Sequence, residues 1–303
     1  MANPEHLALL RQGVYVWNQH KQESCEISID LSDADLKGAN LRGVYLQGAN
    51  LSRANLSHAN LSHANLSHAN LSETSLESAS LCRANLSQAY LEKAVFFQAN
   101  LNQANLMGAS LREADLQVAT LLQANLTGAS LQGTIFWKSY LMRAILRRVD
   151  FREAIVQETN LWRADLREAD LTGVYFSEAC LSEANLRGAN LHRTLFKRTN
   201  FWRTNLQDAS LKGAYLRKNC FNQTDLTRAS FQGAHLQGAL SRGANLTAAN
   251  FEGADLERAI FRGANLTRTN FKGASLQWTV FREANLEQTQ GFDNSFNQKI
   301  LIF

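Results

Sequence analysis

The sequence predicts a solenoid, a fold in which one short structural unit is repeated along a single axis. A five-residue phrase of alanine, asparagine, leucine and two polar residues repeats without interruption through residues 49–72. Within residues 31–286, every fifth residue is a central position; these 52 positions hold 38 leucines, 12 phenylalanines, Val156 and the polar exception Ser241. The residue two places before each central position is nearly always small. Each phrase is therefore expected to bury one large and one small side chain.

The period of five residues also predicts how the chain must bend. It matches neither the 3.6-residue period of a helix nor the two-residue period of a strand, so straight helices or strands cannot keep the central positions on one face. The chain has to turn a corner in every phrase to bring each leucine back inward. A closed, polygonal cross-section follows.

With these residues the chain resembles the pentapeptide repeat family, whose phrase is Ala-(Asn or Asp)-Leu-X-X. The resemblance implies an all-β solenoid, a right-handed quadrilateral β-helix in which four successive phrases form one coil. The 52 phrases would then make about 13 four-sided coils. At the spacing of stacked strands, about 4.8 Å per coil, they would form a rod about 60 Å long.

An N-terminal α-helical cap is predicted before the repeats. Asn3 can cap a helix that begins at Pro4, and apolar residues recur at helical spacing, so one helix is expected from about Pro4 to about His20. The apolar residues are Leu7, Leu10, Val14 and Trp17. This helix is expected to cover the first coil, reached through Ile27 and Ile29, with a partner-binding helix as the alternative. It also resembles the N-terminal caps of cyanobacterial family members.

The predicted division of the chain has three parts. Residues 1–28 form the helix and capping segment, residues 29–290 the repeats, and residues 291–303 an apolar tail. The tail either caps its own last coil or pairs with a second copy of the chain, as a homodimer.

One irregularity interrupts the phrase near Ser241, where asparagine is missing and Gly243 follows. We expect Leu240 to replace Ser241 as the inward residue. Asn219 takes the small position one coil before Ala239, so a local bulge is predicted on this side of two adjacent coils.

Composition and charge exclude several classes of protein. The 303 residues carry a net charge of +4, too mild to require nucleic acid or an anionic membrane as a partner. There is neither a signal-peptide pattern nor an apolar stretch long enough to span a membrane, so a soluble cytoplasmic protein is expected. Four widely spaced cysteines favour free thiols over disulfides or a zinc site. They are Cys25, Cys82, Cys180 and Cys220.

No catalytic or metal-binding motif is recognised. His58, His63 and His68 occupy the same place in successive phrases, so in the predicted coil they project from successive sides and cannot bind one ion together. A tube filled with side chains offers no cleft for catalysis. We therefore predict a protein that is not an enzyme and that needs no cofactor or metal.

One side of the predicted coil is basic. We call it the basic wall: the phrases whose central residues are 41, 61, 81 and every twentieth residue to 281. Its outward positions carry eight arginines against two glutamates, a formal charge of +6. The arginines are Arg42, Arg83, Arg143, Arg163, Arg203, Arg242, Arg262 and Arg282. The glutamates are Glu183 and Glu283.

The same wall holds large apolar side chains at the position after the central residue, and the small Ser182 takes that position between two of them. They are Leu122, Met142, Trp162 and Trp202. Tryptophan, methionine and arginine are enriched in protein interfaces, so these residues and the arginines are the candidate binding surface. The alternative is that arginines and tryptophans pack on each other only to cover the coil.

Three functions remain open from the sequence. The preferred one is a non-enzymatic scaffold whose basic wall binds an acidic or mixed protein partner. The family resemblance implies a second, a DNA mimic that binds a type II topoisomerase, but mimicry requires an acidic surface. The third, binding of nucleic acid or an anionic membrane through the basic wall, is disfavoured because +6 is sparse beside the charge density of DNA.

Overall fold

The computed structural model describes residues 1–23 and 28–291. Its contacts divide the chain into two compact units, Met1–Asp150 and a second unit that begins at Phe151. The predictions for Cys25, for Ile27 and for the apolar tail after Gly291 lie outside the described residues.

Two short helices open the first unit, α1 (Pro4–Arg11) and α2 (Val14–Glu23). The prediction of one continuous helix was wrong, because Gly13 between them has a φ of +112°, outside the helical region. The predicted start is confirmed: the Asn3 side chain accepts a hydrogen bond from Glu5 N at 2.8 Å, and proline follows at the first helical position.

Both helices cover the first turn of the repeats, as the capping prediction expected. Trp17 is buried, and its Nε1 donates to Tyr45 O at 2.8 Å. The Asn18 side chain accepts from Tyr45 N and donates to Gly43 O, at 2.9 and 3.0 Å. His6 of α1 accepts a hydrogen bond at Nδ1 from the backbone N–H of Asp30, at 3.1 Å. These side chains satisfy backbone groups that the edge of a ladder would otherwise leave unpaired.

In the first unit, parallel bridges join equivalent phrases of successive turns, from Asp30 with Asn50 to Ser130 with Asp150. Asp30, Asp35, Asn40 and Tyr45 are bridged in succession before Asn50 is reached, so one turn of the chain contains four bridged positions. Between bridges the chain turns a corner in a tight turn, such as the one closed by Ala54 N donating to Leu51 O at 3.0 Å.

The third residue of that tight turn has a left-handed backbone conformation. Arg53, which lies there, has a φ of +57°. Glycine adopts this conformation without strain, which accounts for its frequent occurrence at this place in the phrase.

The second unit continues the same pairing of successive turns among its own residues, and three of its bridges widen into strands. These are β1 (Ile155–Gln157), β2 (Tyr175–Ser177) and β3 (Leu195–Lys197). They form a parallel sheet in the order β1-β2-β3, with Ile155 opposite Tyr175 and Tyr175 opposite Leu195.

The core confirms the inward assignment of the central and small positions. In the first unit it consists mainly of fully buried leucines and alanines. In the second unit phenylalanines take many central positions, and rings on successive turns stack: Phe231 and Phe251 have centroids 4.6 Å apart with an interplanar angle of 8°. Phe251 also meets Phe261 edge-to-face at 5.9 Å, so rings from opposite sides of a turn meet in the interior.

The asparagine or aspartate before the central residue has a structural role. Asn50 Oδ1 accepts from Ser52 N at 3.1 Å, an Asx turn that starts the corner. It also accepts from Asn70 Nδ2 at 3.4 Å, one turn further along the ladder. The phrase therefore selects these residues because they hydrogen-bond within their own turn and to the next.

The predicted bulge near Ser241 was wrong. Ser241 keeps the inward position and is only 3% exposed, while Leu240 lies at the bridge position between Cys220 and Ile260. Gly243 has a φ of +60°, the ordinary value for its place in the phrase. No residue has to be extruded, because the five-residue count is intact and the hydroxymethyl side chain of serine simply replaces the isobutyl side chain of leucine.

Asn219 fits its small position by hydrogen bonding. Its Nδ2 donates to Phe196 O at 3.0 Å, and its Oδ1 accepts from Thr199 N at 3.0 Å. Threonines at small positions use the equivalent acceptor, as Thr204 does with Leu181 O at 2.8 Å. The buried carboxamide is thus satisfied.

Replacing a small inward residue by a large one is expected to destabilise the first unit. Ala124 is fully buried and faces the interior, so Ala124→Leu should lower the free energy of unfolding by about 1–3 kcal/mol through overpacking. Thermal denaturation checks this against Gln123→Leu, whose exposed neighbouring position offers room. An Ala124→Leu melting temperature equal to that of the native protein would contradict the inward packing.

Candidate protein-binding surface

The first unit contains the early part of the basic wall. Arg83 Nε donates to Gln103 Oε1 at 2.6 Å, and Gln103 Nε2 donates to Gln123 Oε1 at 3.1 Å. Polar side chains thus form a hydrogen-bonded row along the ladder. Leu122 and Met142 are half-buried, and Arg143 is exposed.

Arg42 lies near the capped end of this unit and is exposed. Its backbone N–H donates to Asn40 Oδ1 at 3.4 Å in a long Asx turn. It occupies the same place in its phrase as Leu122 and Met142 do in theirs.

In the second unit, Trp162 and Arg163 form a cluster with Glu183 one turn away. The Arg163 guanidinium carbon lies 4.4 Å from the centroid of the Trp162 ring, and its Nε is 2.7 Å from Glu183 Oε2. Trp162 Nε1 also donates to Glu183 Oε1 at 3.4 Å. The hydrogen bond from Arg163, followed by that from Trp162, holds the pKa of the Glu183 carboxyl below its usual value.

Trp202 and Arg203 repeat the arrangement two turns further on. The Arg203 guanidinium carbon is again 4.4 Å from the ring centroid of its tryptophan, and Nε donates to Gln223 Oε1 at 3.1 Å. Trp202 remains 38% exposed. Ser182, which lies between the two tryptophans in the register of the ladder, is buried, so the indoles flank a small side chain.

Three exposed arginines continue the wall towards the end of the second unit: Arg242, Arg262 and Arg282. Glu283 pairs with Arg262 at 3.2 Å and with Arg282 at 3.5 Å. The Arg262 hydrogen bond is the main reason that the pKa of the Glu283 carboxyl is lowered. Such exposed pairs contribute little to stability.

An apolar column lies beside these arginines. Leu240, Ile260 and Val280 occupy successive bridge positions on the same wall and are half-buried. The sequence prediction missed the column because the five-residue apolar period identifies only the inward central positions, and bridge positions lie outside it. The signal was present: these three phrases have neither the asparagine nor the aspartate that most of the other phrases carry at this position.

The structure therefore brings some of the predicted residues together and leaves others apart. Each tryptophan contacts the arginine that follows it, and two arginines surround Glu283, whereas Leu122, Met142 and Arg143 belong to the first unit. The covering arrangement considered from the sequence is present as cation–π contacts. Those contacts do not remove Trp202 from solvent.

Within residues 1–23 and 28–291, no group of three or more His, Cys, Asp or Glu side chains could hold a metal ion. His58, His63 and His68 are exposed at the positive-φ position of successive phrases. In the same part of the chain, neither helix is long and apolar enough to cross a membrane.

A comparison with protein families identifies the repeat. The family model described as pentapeptide repeats matches in eight copies, over stretches that run from residue 29 to residue 290. The chain belongs to the pentapeptide repeat family. A search of curated proteins gives no match.

Several solved structures are similar to this chain. HetL, a pentapeptide repeat protein involved in heterocyst differentiation regulation in the cyanobacterium Nostoc sp. strain PCC 7120, is 26% identical, over 90% of this chain and 92% of HetL, with a TM-score of 0.38. QnrB1, a plasmid-mediated fluoroquinolone resistance protein, is 20% identical over 64% of this chain and 84% of its own, with a TM-score of 0.33. Rfr23, a pentapeptide repeat protein from the cyanobacterium Cyanothece 51142, is 21% identical over 52% of this chain and 88% of Rfr23, with a TM-score of 0.16.

Proposed function

We propose that this pentapeptide repeat protein is a non-enzymatic, cytoplasmic scaffold that binds an acidic or mixed protein partner through its basic wall. The proposal includes the finer form that the family resemblance implies, a right-handed quadrilateral β-helix of about 13 four-sided coils. It also includes the division into an N-terminal cap over residues 1–28, repeats over residues 29–290 and a tail over residues 291–303.

The second unit's part of the basic wall carries the proposal. There, Arg163 and Arg203 lie over tryptophan rings two turns apart. Further along the wall, an arginine stands beside the half-buried apolar column on each of three successive turns. Tryptophan and arginine dominate the residues that contribute most to binding in protein interfaces. Arginine can also pair with two carboxylate oxygens at once, which suits an acidic partner.

The interior supports a binding role over an enzymatic one. The central positions of both units are filled by leucine and phenylalanine side chains that are almost fully buried. Known catalytic sites lie in concave pockets that exclude water. A surface built of regular turns with a filled interior favours recognition by contact.

A pull-down with a double variant tests the proposal. Trp162→Ala with Trp202→Ala should remove at least one protein that the native chain captures from a nuclease-treated lysate, because both anchors of the wall are truncated. Trp137→Ala is the matched control. Trp137 occupies the same place in its phrase, with Lys138 Nζ 4.4 Å from its ring centroid, but it belongs to a different set of phrases, centred on residue 136.

The control variant should retain every partner. Identical partner lists for the native protein and the double variant would contradict the proposal, provided that circular dichroism shows both to be folded. The loss of the same partners from the Trp137→Ala control would also contradict it, since the effect would then not be specific to the basic wall.

A further inference from the structure

A second apolar column lies on the strands of the second unit, in phrases outside the basic wall. Ile155 of β1, Tyr175 of β2 and Leu195 of β3 are paired neighbours in the sheet, and Tyr215 bridges to Leu195 on the next turn. Ile155, Leu195 and Tyr215 are 40%, 42% and 50% exposed. Four successive turns thus present a large apolar side chain to solvent at one position.

These four positions differ from most bridge positions of this chain. Elsewhere the bridge position most often holds asparagine, aspartate or serine, and the side-chain oxygen of asparagine or aspartate accepts the N–H two residues on. A side chain such as Leu195 cannot form that bond. The local turn is different too, because here the bridges widen into strands. The apolar residues therefore have no role in the corner, and an exposed row of this kind is typical of a binding surface.

The charges beside the column change sign along it. Glu158 and Glu178 follow β1 and β2 at the positive-φ position, whereas Arg198 and Lys218 hold the same position after β3 and on the next turn. Arg217 precedes Lys218 and is exposed. Glu178 and Arg198 form an exposed ion pair of 3.2 Å in the middle of the four turns. One end of the column is acidic and the other is basic.

We propose that this face binds a second copy of the chain in an antiparallel dimer. A two-fold axis that lies in the face, at right angles to the ladder and midway between Tyr175 and Leu195, places Ile155 opposite Tyr215 of the second copy. The same operation places Glu158 opposite Lys218 and Glu178 opposite Arg198. Apolar residues then meet apolar residues, and each of the four charges at the positive-φ position meets its opposite, which suits a self-complementary two-fold interface.

The size of the face predicts a weak dimer. Four turns at about 4.8 Å each give a contact about 20 Å long, which would bury less than the roughly 800 Å² per partner of a stable complex. Dimerisation should therefore depend on protein concentration, and it should weaken as salt screens the charge pairs.

Sedimentation velocity of the full chain over a range of concentrations tests the proposal. The native protein should form dimers as its concentration rises. Leu195→Asn with Tyr215→Asn, which restores the residue common at bridge positions, should raise the dimer dissociation constant about tenfold or more. Tyr90→Asn is the matched control, since Tyr90 is 56% exposed at a bridge position of the first unit. It should leave dimerisation unchanged.

A charge exchange separates docking from any loss of folding. Lys218→Glu should weaken the dimer, because two carboxylates then face each other, and adding Glu158→Lys should restore it with the signs reversed. A native chain that stays monomeric would overturn the proposal. So would a dimer that persists in the Leu195→Asn and Tyr215→Asn variant, or a Lys218→Glu effect that Glu158→Lys does not reverse. The Trp162→Ala and Trp202→Ala variant should dimerise normally, which keeps this result separate from the function of the basic wall.

Discussion

Replacing Phe251 by alanine is expected to lower the free energy of unfolding of the second unit by about 3–5 kcal/mol. Phe251 is 1% exposed and has three aromatic neighbours. Phe231 and Phe271 stack on its two faces at 4.6 and 5.4 Å, and Phe261 meets it edge-to-face. The variant would lose the buried ring and leave a cavity, which the hydrogen-bonded turns on either side cannot close by moving together.

Phe251→Leu is the control for this prediction. Leucine is the commonest central residue of the chain, so this variant should lose less than about 1.5 kcal/mol. Urea unfolding followed by circular dichroism measures both variants, and amide hydrogen exchange locates the change within the second unit. Equal stability of the alanine and leucine variants would show that ring stacking and cavity formation do not govern this core.

The sequence predicted the inward positions well because the constraint on them is strict. A five-residue phrase cannot shift by one residue without turning its central side chain out of the core, so the apolar period identifies burial directly. Ser241 shows how strong that constraint is. A polar residue kept the inward position, and the better inward candidate, Leu240, stayed at the bridge.

The outward positions were harder to predict, because no single constraint acts on them. The asparagine before the central residue is explained by its Asx turn and its ladder bond, neither of which the apolar period contains. Once that role is known, its absence becomes informative. At some bridge positions an apolar side chain stands in place of the asparagine, so the Asx turn is not formed there. Examples are Leu195, Tyr215, Ile260 and Val280.

The N-terminal helical segment was predicted at the right place in the chain, but as one helix where the structure has two. Its apolar spacing ran through Gly13, and periodicity alone does not reveal that this glycine adopts a positive φ. Nor could the sequence indicate that Asn18 would replace a missing strand by hydrogen-bonding Tyr45 N and Gly43 O. Both features depend on where the first turn ends, which is a tertiary contact.

Removing the indole of Trp17 is expected to uncover the first turn, at a loss of about 3–5 kcal/mol. The ring is 2% exposed, meets His6 edge-to-face at 6.5 Å and donates its N–H to Tyr45 O. Trp17→Ala would therefore lose both packing and a hydrogen bond to the edge of the ladder. Because each repeat contacts only its neighbours, the effect should be local: amide protection should fall first at the turn that contains Leu31 and Leu46.

Two substitutions in the same helix separate the contributions. Trp17→Phe keeps an aromatic ring but removes the donor, so it should lose about 1 kcal/mol for the hydrogen bond to Tyr45 O, with some packing loss in addition. Tyr15→Ala alters a side chain that is 77% exposed and should change stability by less than about 0.5 kcal/mol. Hydrogen exchange of the three variants would contradict the capping role if Trp17→Ala left the first turn as protected as Tyr15→Ala does. In that case the partner-binding alternative for this segment would be favoured, since burial of Trp17 would then contribute nothing to the stability of the ladder beneath it.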